Sequence, residues 1–103
     1  MKKVYNKLVR DLIPDIIRSK GEKCNTRVLD DKEYLIELNK KLLEEVNEYL
    51  DSEDINEVGD VYEVLLAIIE AKGYSFSEFD KIRNDKTTKR GAFKNKIFLI
   101  DTE

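Results

Sequence analysis

The chain has 103 residues, which is a typical size for one domain, so residues 1–103 are expected to form a single domain. Charged residues make up 40% of the chain and the net charge is −3, while one proline and four glycines leave few breaks, so long helices are favoured over a many-stranded β fold. One cysteine and no histidine exclude an intrachain disulfide and a Cys/His zinc cluster.

The first thirty residues predict short elements. Residues 4–10 are expected to be extended, and Asp11 is expected to cap a short helix with Pro14 in its first turn. Gly21 should end that helix in the left-handed conformation. Residues 24–29, CNTRVL, alternate weakly and indicate a short strand or extended segment.

A long helix is expected next, capped by Asp30 or Asp31 and ending near Leu50. Five apolar residues recur at helical spacing along one side and form a single stripe. They are Leu35, Leu38, Leu42, Val46 and Tyr49.

A short turn at Asp51–Asp54 separates this helix from a second one, expected from Ile55 to Lys72. Asp54 and Glu57 have the spacing of a capping box. The second helix is apolar nearly all round between Val61 and Ala71, which is typical of the centre of a bundle. Because a chain this short buries only about two-thirds of its unfolded surface, we expect a second subunit to complete the core.

The last helix is expected after a break at Gly73, opening with a capping box of Ser75 and Glu78. It should end at about Arg90, with Gly91 as its stop.

The tail KIFLI, residues 96–100, has β character, which would allow it to pair with residues 24–29. The predicted fold is an all-α, antiparallel helical bundle completed by dimerisation, with short extended N- and C-terminal segments.

Acidic residues are concentrated in the two long helices, with ten carboxylates and no Lys or Arg between Leu42 and Ala71. Glu45 and Glu48 are three residues apart, as are Glu57 and Asp60, and such helical neighbours have Cβ atoms roughly 5–6 Å apart. The short turn makes the two helices antiparallel neighbours. We therefore expect the four carboxylates to converge in the groove between them.

Such a cluster needs neutralisation, since two like charges 4 Å apart repel by about 4 kcal/mol at an effective dielectric near 20. We expect no Lys or Arg of the helical pair to neutralise it. Oxygen-only coordination without histidine suits Mg²⁺, or Mn²⁺ as an alternative. A divalent ion in turn suits a phosphate ligand. Two solvated acidic helix faces are the simpler interpretation of the same pattern.

The sequence offers no covalent nucleophile with a histidine base and no P-loop motif. The remaining chemistry is attack of activated water on phosphorus, with basic side chains holding the negative charge. The candidate substrate-binding residues lie near the two ends of the chain: Lys7, Arg10, Lys86, Lys89 and Arg90. The alternative interpretation, which is equally good, is that these basic residues are ordinary solvent-exposed surface residues.

EEVNE at 44–48 followed by EVGD at 57–60 resembles the EExxE…ExxD signature of the all-α nucleoside triphosphate pyrophosphohydrolases. These are the MazG-like and phosphoribosyl-ATP pyrophosphohydrolase-like proteins. The segments NKLVRDLIP at 6–14, RVLDDKEYL at 27–35 and KRGAFKNKIFL at 89–99 are similar to a small MazG-like subgroup of house-cleaning enzymes.

The resemblance implies a Mg²⁺-dependent hydrolase acting on acid anhydrides, which converts a nucleoside triphosphate to a monophosphate and pyrophosphate. It also implies homodimers or higher homo-oligomers. The residues that match the family's metal ligands are Glu45, Glu48, Glu57 and Asp60. Glu44 matches an outer acid that positions water, so the expected catalytic residues are Glu44, Glu45 and Glu48. Gly59 stands where alanine is more usual and is expected to permit close helix approach, while Glu63 has no assigned role.

Two other functions stay open. One is hydrolysis of phosphoribosyl-ATP, and the other is a non-catalytic helical module that binds a nucleotide or a partner helix in the groove. No apolar run reaches the roughly 18 residues of a membrane span, and no signal-peptide pattern follows the start of the chain. We expect a cytoplasmic protein with neither a membrane nor a nucleic-acid polymer as partner.

Overall fold

The computed structural model describes residues 2–103, which contain helices and no strand. The all-α class predicted from composition is therefore confirmed. The helices are α1 (Ile13–Ser19), α2 (Asp31–Ser52), α3 (Ile55–Ala71) and α4 (Phe76–Arg90).

The strand indicated for residues 24–29 and its pairing with the tail do not form. Val28 is 98% exposed, and residues 97–100 expose between 74% and 88% of their surface. An alternating or β-branched segment becomes a strand only when its backbone groups find a neighbouring strand, and none lies beside either segment. The β character of the tail is therefore a local preference without a partner.

The α2–α3 hairpin has a tighter connection than the sequence predicts. Helix α2 continues to Ser52, and only Glu53 and Asp54 lie between the helices. Glu53 reverses the chain by adopting a left-handed conformation with φ 53°. Asp54 caps α3 as expected, but its carboxylate accepts the N–H of Asn56 at 2.7 Å, so the capping box predicted with Glu57 is wrong.

Helices α2 and α3 pack along each other in opposite directions. Because only Glu53 and Asp54 connect the two helices, the start of α2 lies beside the end of α3. Burial there, followed by the nearby charge of Glu70, raises the pKa of Tyr34. Among the apolar side chains of residues 2–103, only Leu38 of α2 (2% exposed) and Val64 of α3 (7%) are buried. The hairpin core is therefore a narrow seam between two helices.

Two of the other predicted helix starts are confirmed. Asp30 caps α2 by accepting the N–H of Glu33 at 2.8 Å. Ser75 and Glu78 form the reciprocal capping box that opens α4. These bonds satisfy backbone donors that have no partner within the first helical turn.

The cap predicted at Asp11 is wrong. Helix α1 begins one residue later, with Leu12 at the N-cap and no side-chain hydrogen bond there. Pro14 lies in the first turn as expected, where its missing N–H costs no helical bond. Gly21 has φ 81°, which confirms its predicted left-handed stop.

The molecule is elongated, measuring 61 × 32 × 23 Å with a radius of gyration of 18.2 Å. A compact chain of this length would have a radius of about 13 Å. Helix α4 touches the hairpin through α3 alone, and α1 packs against none of the other helices within residues 2–103. The fold is therefore one helical hairpin with appended segments, which leaves much of the hairpin surface open.

Gly59 lies within α3, and a Cβ built at this position meets no atom within 4 Å. The expectation that this glycine permits close helix approach is therefore not supported.

Because alanine has the higher helix propensity, Gly59→Ala should raise the free energy of unfolding by about 1 kcal/mol in denaturant titrations. The contrasting variant is Gly73→Ala, which should be destabilised because Gly73 has φ 86°. A destabilised Gly59→Ala protein would show that the glycine has a packing role.

Candidate metal centre

Three acidic side chains from facing sides of the hairpin meet in its groove. Carboxylate oxygens of Glu45, Glu57 and Asp60 all lie within 4.8 Å of one another, a spacing that could hold a metal ion. Glu45 comes from α2, and Glu57 and Asp60 come from adjacent turns of α3. The predicted convergence is therefore present for three of the four carboxylates.

The position of these acids follows from helical periodicity. Glu45 is seven residues after the buried Leu38, and Glu57 is seven residues before the buried Val64. Seven residues are close to two full turns, so each glutamate lies on the same line as the core residue of its helix. The acids therefore extend the seam between the helices, toward the turn.

Glu48 lies beside the cluster but outside that 4.8 Å group. Its side chain is exposed, yet it is close enough to influence the pKa of both Glu45 and Glu57. Its assignment as a metal ligand stays a prediction.

Two oxygens of the cluster are buried without any hydrogen-bond partner: Oε2 of Glu45 and Oε2 of Glu57. A buried polar atom without a partner costs about 1–3 kcal/mol, and more when it is charged. Carboxylate oxygens are also the donors that hard divalent cations prefer. These residues therefore fit a bound cation, which would supply the missing partner to both oxygens.

The pKa shifts of Glu45 and Glu57 agree with a cation site at these residues. Burial, followed by the neighbouring Glu48, raises the pKa of Glu45 above its ordinary value. Burial and then the charge of Asp60 raise the pKa of Glu57. Both groups therefore favour a proton, or another positive charge, more than free carboxylates do.

The expectation that no Lys or Arg of the helical pair neutralises the cluster is wrong. Lys41 Nζ lies 3.5 Å from Glu44 Oε1 and 3.4 Å from Glu45 Oε1. The sequence carried this signal, because residues three and four apart are neighbours on a helix. Lys41 is only one residue outside the acidic stretch, which is why counting charges within the stretch missed it.

Basic residues of the N-terminal segment also reach the acidic groove. Lys7 Nζ donates to Glu44 Oε1 at 2.9 Å, and Arg10 donates to Asp60 Oδ1 at 2.7 Å. The Lys7 hydrogen bond lowers the pKa of Glu44, and the same bond raises the pKa of Lys7. These two exposed ion pairs place Lys7 and Arg10 beside the acidic groove. The substrate-binding roles of Lys7 and Arg10 stay predictions.

The local charges do not balance. Five carboxylates face three cations, which leaves a charge of −2 when every group is ionised. The carboxylates are Glu44, Glu45, Glu48, Glu57 and Asp60, and the cations are Lys7, Arg10 and Lys41. One divalent cation would neutralise this excess.

The basic residues predicted on the last helix lie elsewhere. Lys86, Lys89 and Arg90 are on α4, and none of them forms an ion pair with the acidic groove in the described part of the chain. Lys86 and Arg90 instead line a shallow depression of about 540 Å³ with Phe79 and Phe93. The undecided Glu63 is exposed on α3.

No protein-family model, no curated protein and no solved structure matches this chain. Of the helices within residues 2–103, none has the combination of length and apolarity needed to cross a membrane.

The raised pKa values predict how metal-free stability depends on pH. An acid whose pKa is higher in the folded state than in the unfolded state binds its proton more tightly when folded. Its contribution to stability therefore falls as the pH rises from the ordinary pKa of about 4.5 through the raised pKa of the folded state. Glu45→Gln removes one such acid. The metal-free variant should therefore unfold at a higher temperature than the wild type at pH 7, with a smaller difference at acidic pH.

Mg²⁺ should reverse this order. Binding to the folded wild type at a concentration 100 times the dissociation constant adds about 2.7 kcal/mol of stability, whereas Glu45→Gln should gain little. Glu53→Gln, an exposed glutamate in the turn, is the matched control and should respond to Mg²⁺ like the wild type. Equal Mg²⁺ responses in all three proteins would contradict a metal centre at Glu45.

Proposed function

We propose that this protein is a Mg²⁺-dependent nucleoside triphosphate pyrophosphohydrolase, releasing a nucleoside monophosphate and pyrophosphate. The observation that carries the proposal is the pair of buried, partnerless carboxylate oxygens of Glu45 and Glu57, on helices that face each other. Burying these two oxygens without a partner destabilises the fold. A bound cation, together with a polyphosphate ligand, would offset that cost.

The proposed ligands of the ion are Glu45, Glu57 and Asp60, with Glu48 as the fourth. A bound divalent ion would supply positive charge to the polyphosphate and make water more acidic. Glu44, kept ionised by Lys7 and Lys41, is suited to accept a hydrogen bond from the attacking water and to orient it. Glu48, exposed beside the cluster, can accept that water's proton.

The reaction adds water to one phosphorus and breaks the bond to the pyrophosphate leaving group. Lys7 and Arg10 can exchange their carboxylate partners for phosphate oxygens, because both form exposed ion pairs that contribute little to stability. Their N-terminal segment would then contact the substrate directly.

The resemblance of the 44–48 and 57–60 motifs to the MazG-like pyrophosphohydrolases supports the same reaction class. It also supports removal of non-canonical nucleotides as the role, the cytoplasm as the location, and a homodimer or higher homo-oligomer as the active form.

The direct test is pyrophosphate release from a panel of canonical and damaged nucleoside triphosphates with Mg²⁺, with phosphoribosyl-ATP included. Glu45→Gln and Asp60→Asn should each lower turnover by at least about 1000-fold, because each removes a charge from the ion's ligands. Helix content measured by circular dichroism should be unchanged.

Glu53→Gln and Asp51→Asn are the matched controls, as both are exposed near the turn and outside the cluster. They should retain wild-type turnover. Full activity of both cluster variants would contradict the proposal. Nucleotide binding without pyrophosphate release at any Mg²⁺ concentration would instead assign a non-catalytic nucleotide-binding module.

A further inference from the structure

A basic surface with an exposed aromatic ring lies at the end of α4, and we call it the α4 basic surface. It consists of Phe93 and the five cations around it in sequence, Lys86, Lys89, Arg90, Lys94 and Lys96. Residues 86–100 contain no acid, although the whole chain has a net charge of −3. Such a local excess of positive charge attracts anions.

The protein does not neutralise these cations with its own acids. Within residues 2–103 none of the five forms an ion pair, whereas Arg83 of the same helix lies 2.9 Å from Asp80. Lys89 and Arg90 are in the last turn of α4, where they offset the partial negative charge of the helix C-terminus. That stabilising role accounts for only two of the five cations.

Helical spacing places two of the cations beside an apolar floor. At about 100° per residue, Lys86 and Arg90 lie within about 40° of each other and of Phe79 around α4. The same three residues line the depression of about 540 Å³, together with Phe93. Asp85, the one acid between residues 81 and 100, is turned about 120° from Phe79. The depression therefore combines aromatic rings with cations that no acid on the same helical line opposes.

Phe93 is 97% exposed, so it contributes almost nothing to the packing of the chain. An exposed ring can stack on a planar base, and this contact tolerates any sequence because every base has a π-face. Cations around such a ring can bind the phosphates on either side of the base. An aromatic ring within a positively charged surface is the combination that binds single-stranded nucleic acids.

We propose that the α4 basic surface binds single-stranded nucleic acid, with a base stacked on Phe93 and neighbouring phosphates bound by Lys86 and Arg90. Lys94 and Lys96 would bind phosphates further along the strand. A duplex fits less well, because its bases are already stacked on one another and would have to be unstacked to reach the ring. We therefore replace the expectation, drawn from the sequence, that no nucleic-acid polymer is a partner.

A free nucleotide suits this surface less than a strand does. Small-ligand pockets cover about 70–90% of their ligand, whereas this depression is open, since Phe93 is almost fully exposed. One nucleotide would also leave most of the five cations without a phosphate. A strand gains contacts at each of them in turn.

An anionic bilayer is the other partner that cations and exposed apolar side chains can bind, and residues 97–100 expose between 74% and 88% of their surface. A bilayer presents a flat surface, which contacts protruding side chains and leaves a depression unfilled. Phe79, which is half-buried in the depression, would then have no contact with the lipid. A base fills the depression and contacts the exposed ring at once.

This site does not depend on the proposed catalytic function, because none of its cations forms an ion pair with the acidic groove in the described part of the chain. The carboxylates of that groove repel phosphates, so the strand is expected to follow α4 and the residues after it. Variants of the α4 basic surface should therefore change nucleic-acid binding and leave the Mg²⁺ response of the hairpin unchanged.

The test measures binding of a fluorescein-labelled oligothymidylate of about twelve nucleotides by fluorescence anisotropy at a series of salt concentrations. Each bound phosphate should contribute about −0.7 to the slope of log K against log salt concentration. Lys86→Gln and Arg90→Gln should each weaken binding and bring the slope about 0.7 closer to zero. Lys81→Gln is the matched control, since Lys81 lies on the same helix but about 160° from Phe79, and it should leave the slope unchanged.

Phe93→Ala separates stacking from charge. It should weaken binding by at least about 5-fold, the smaller end of the effect of losing one stacked base, with the salt slope unchanged. Because Phe93 is 97% exposed, the helix content measured by circular dichroism should stay that of the wild type. Tyr5→Ala removes another exposed aromatic ring outside the surface and should bind like the wild type.

Unlabelled competitors distinguish the anionic partners. A duplex of the same length, an oligoglutamate of the same charge and phosphatidylserine vesicles should each displace the labelled strand less effectively than the unlabelled strand does. Equal or better displacement by any of them would overturn the proposal. So would an absence of binding at about 20 mM salt, where phosphate contacts are strongest, or equal losses in Lys81→Gln and Lys86→Gln.

Discussion

The burial of carboxylates in the seam of the α2–α3 hairpin is the constraint on which the rest of the structure depends. Glu45 and Glu57 lie on the same helical lines as Leu38 and Val64, where apolar side chains would stabilise the hairpin more. Lys41 and Arg10 offset part of the charge, but one oxygen of each glutamate keeps no partner. The chain alone therefore leaves an excess of negative charge at the groove, which a divalent cation would neutralise.

The hairpin divides into two sides with different chemistry. One side carries the acids together with the N-terminal segment that binds them through Lys7 and Arg10. The other side exposes uncharged apolar side chains, among them Leu43 on α2 and Tyr62 on α3. Because the seam between the helices contains few buried apolar residues and two acids, its apolar packing is small, and the homodimer that forms part of our proposed function would add to it.

Periodicity and capping patterns predicted the helices well because both depend on local spacing. The Asp30 cap, the Ser75–Glu78 capping box and the convergence of Glu45, Glu57 and Asp60 all follow from local helical geometry. The strand at residues 24–29 was wrong because a non-local partner decides that outcome, and no strand lies beside these residues. The ion pairs of Lys7 and Arg10 with acids distant in sequence were not foreseen for the same reason. The cap predicted at Asp11 and the capping box predicted with Glu57 were wrong although both are local. Lys41 was missed although its spacing from Glu44 and Glu45 is local.

The most direct test of a metal centre in the hairpin is anomalous diffraction from crystals of the protein soaked in Mn²⁺. We expect one strong anomalous peak in the α2–α3 groove, within about 2.5 Å of carboxylate oxygens from Glu45, Glu57 and Asp60. In the same crystals, Oε2 of Glu45 and of Glu57 should gain a partner, either the ion or a water bound to it. A groove without a peak at saturating Mn²⁺, with both oxygens still buried and unpaired, would contradict the metal centre.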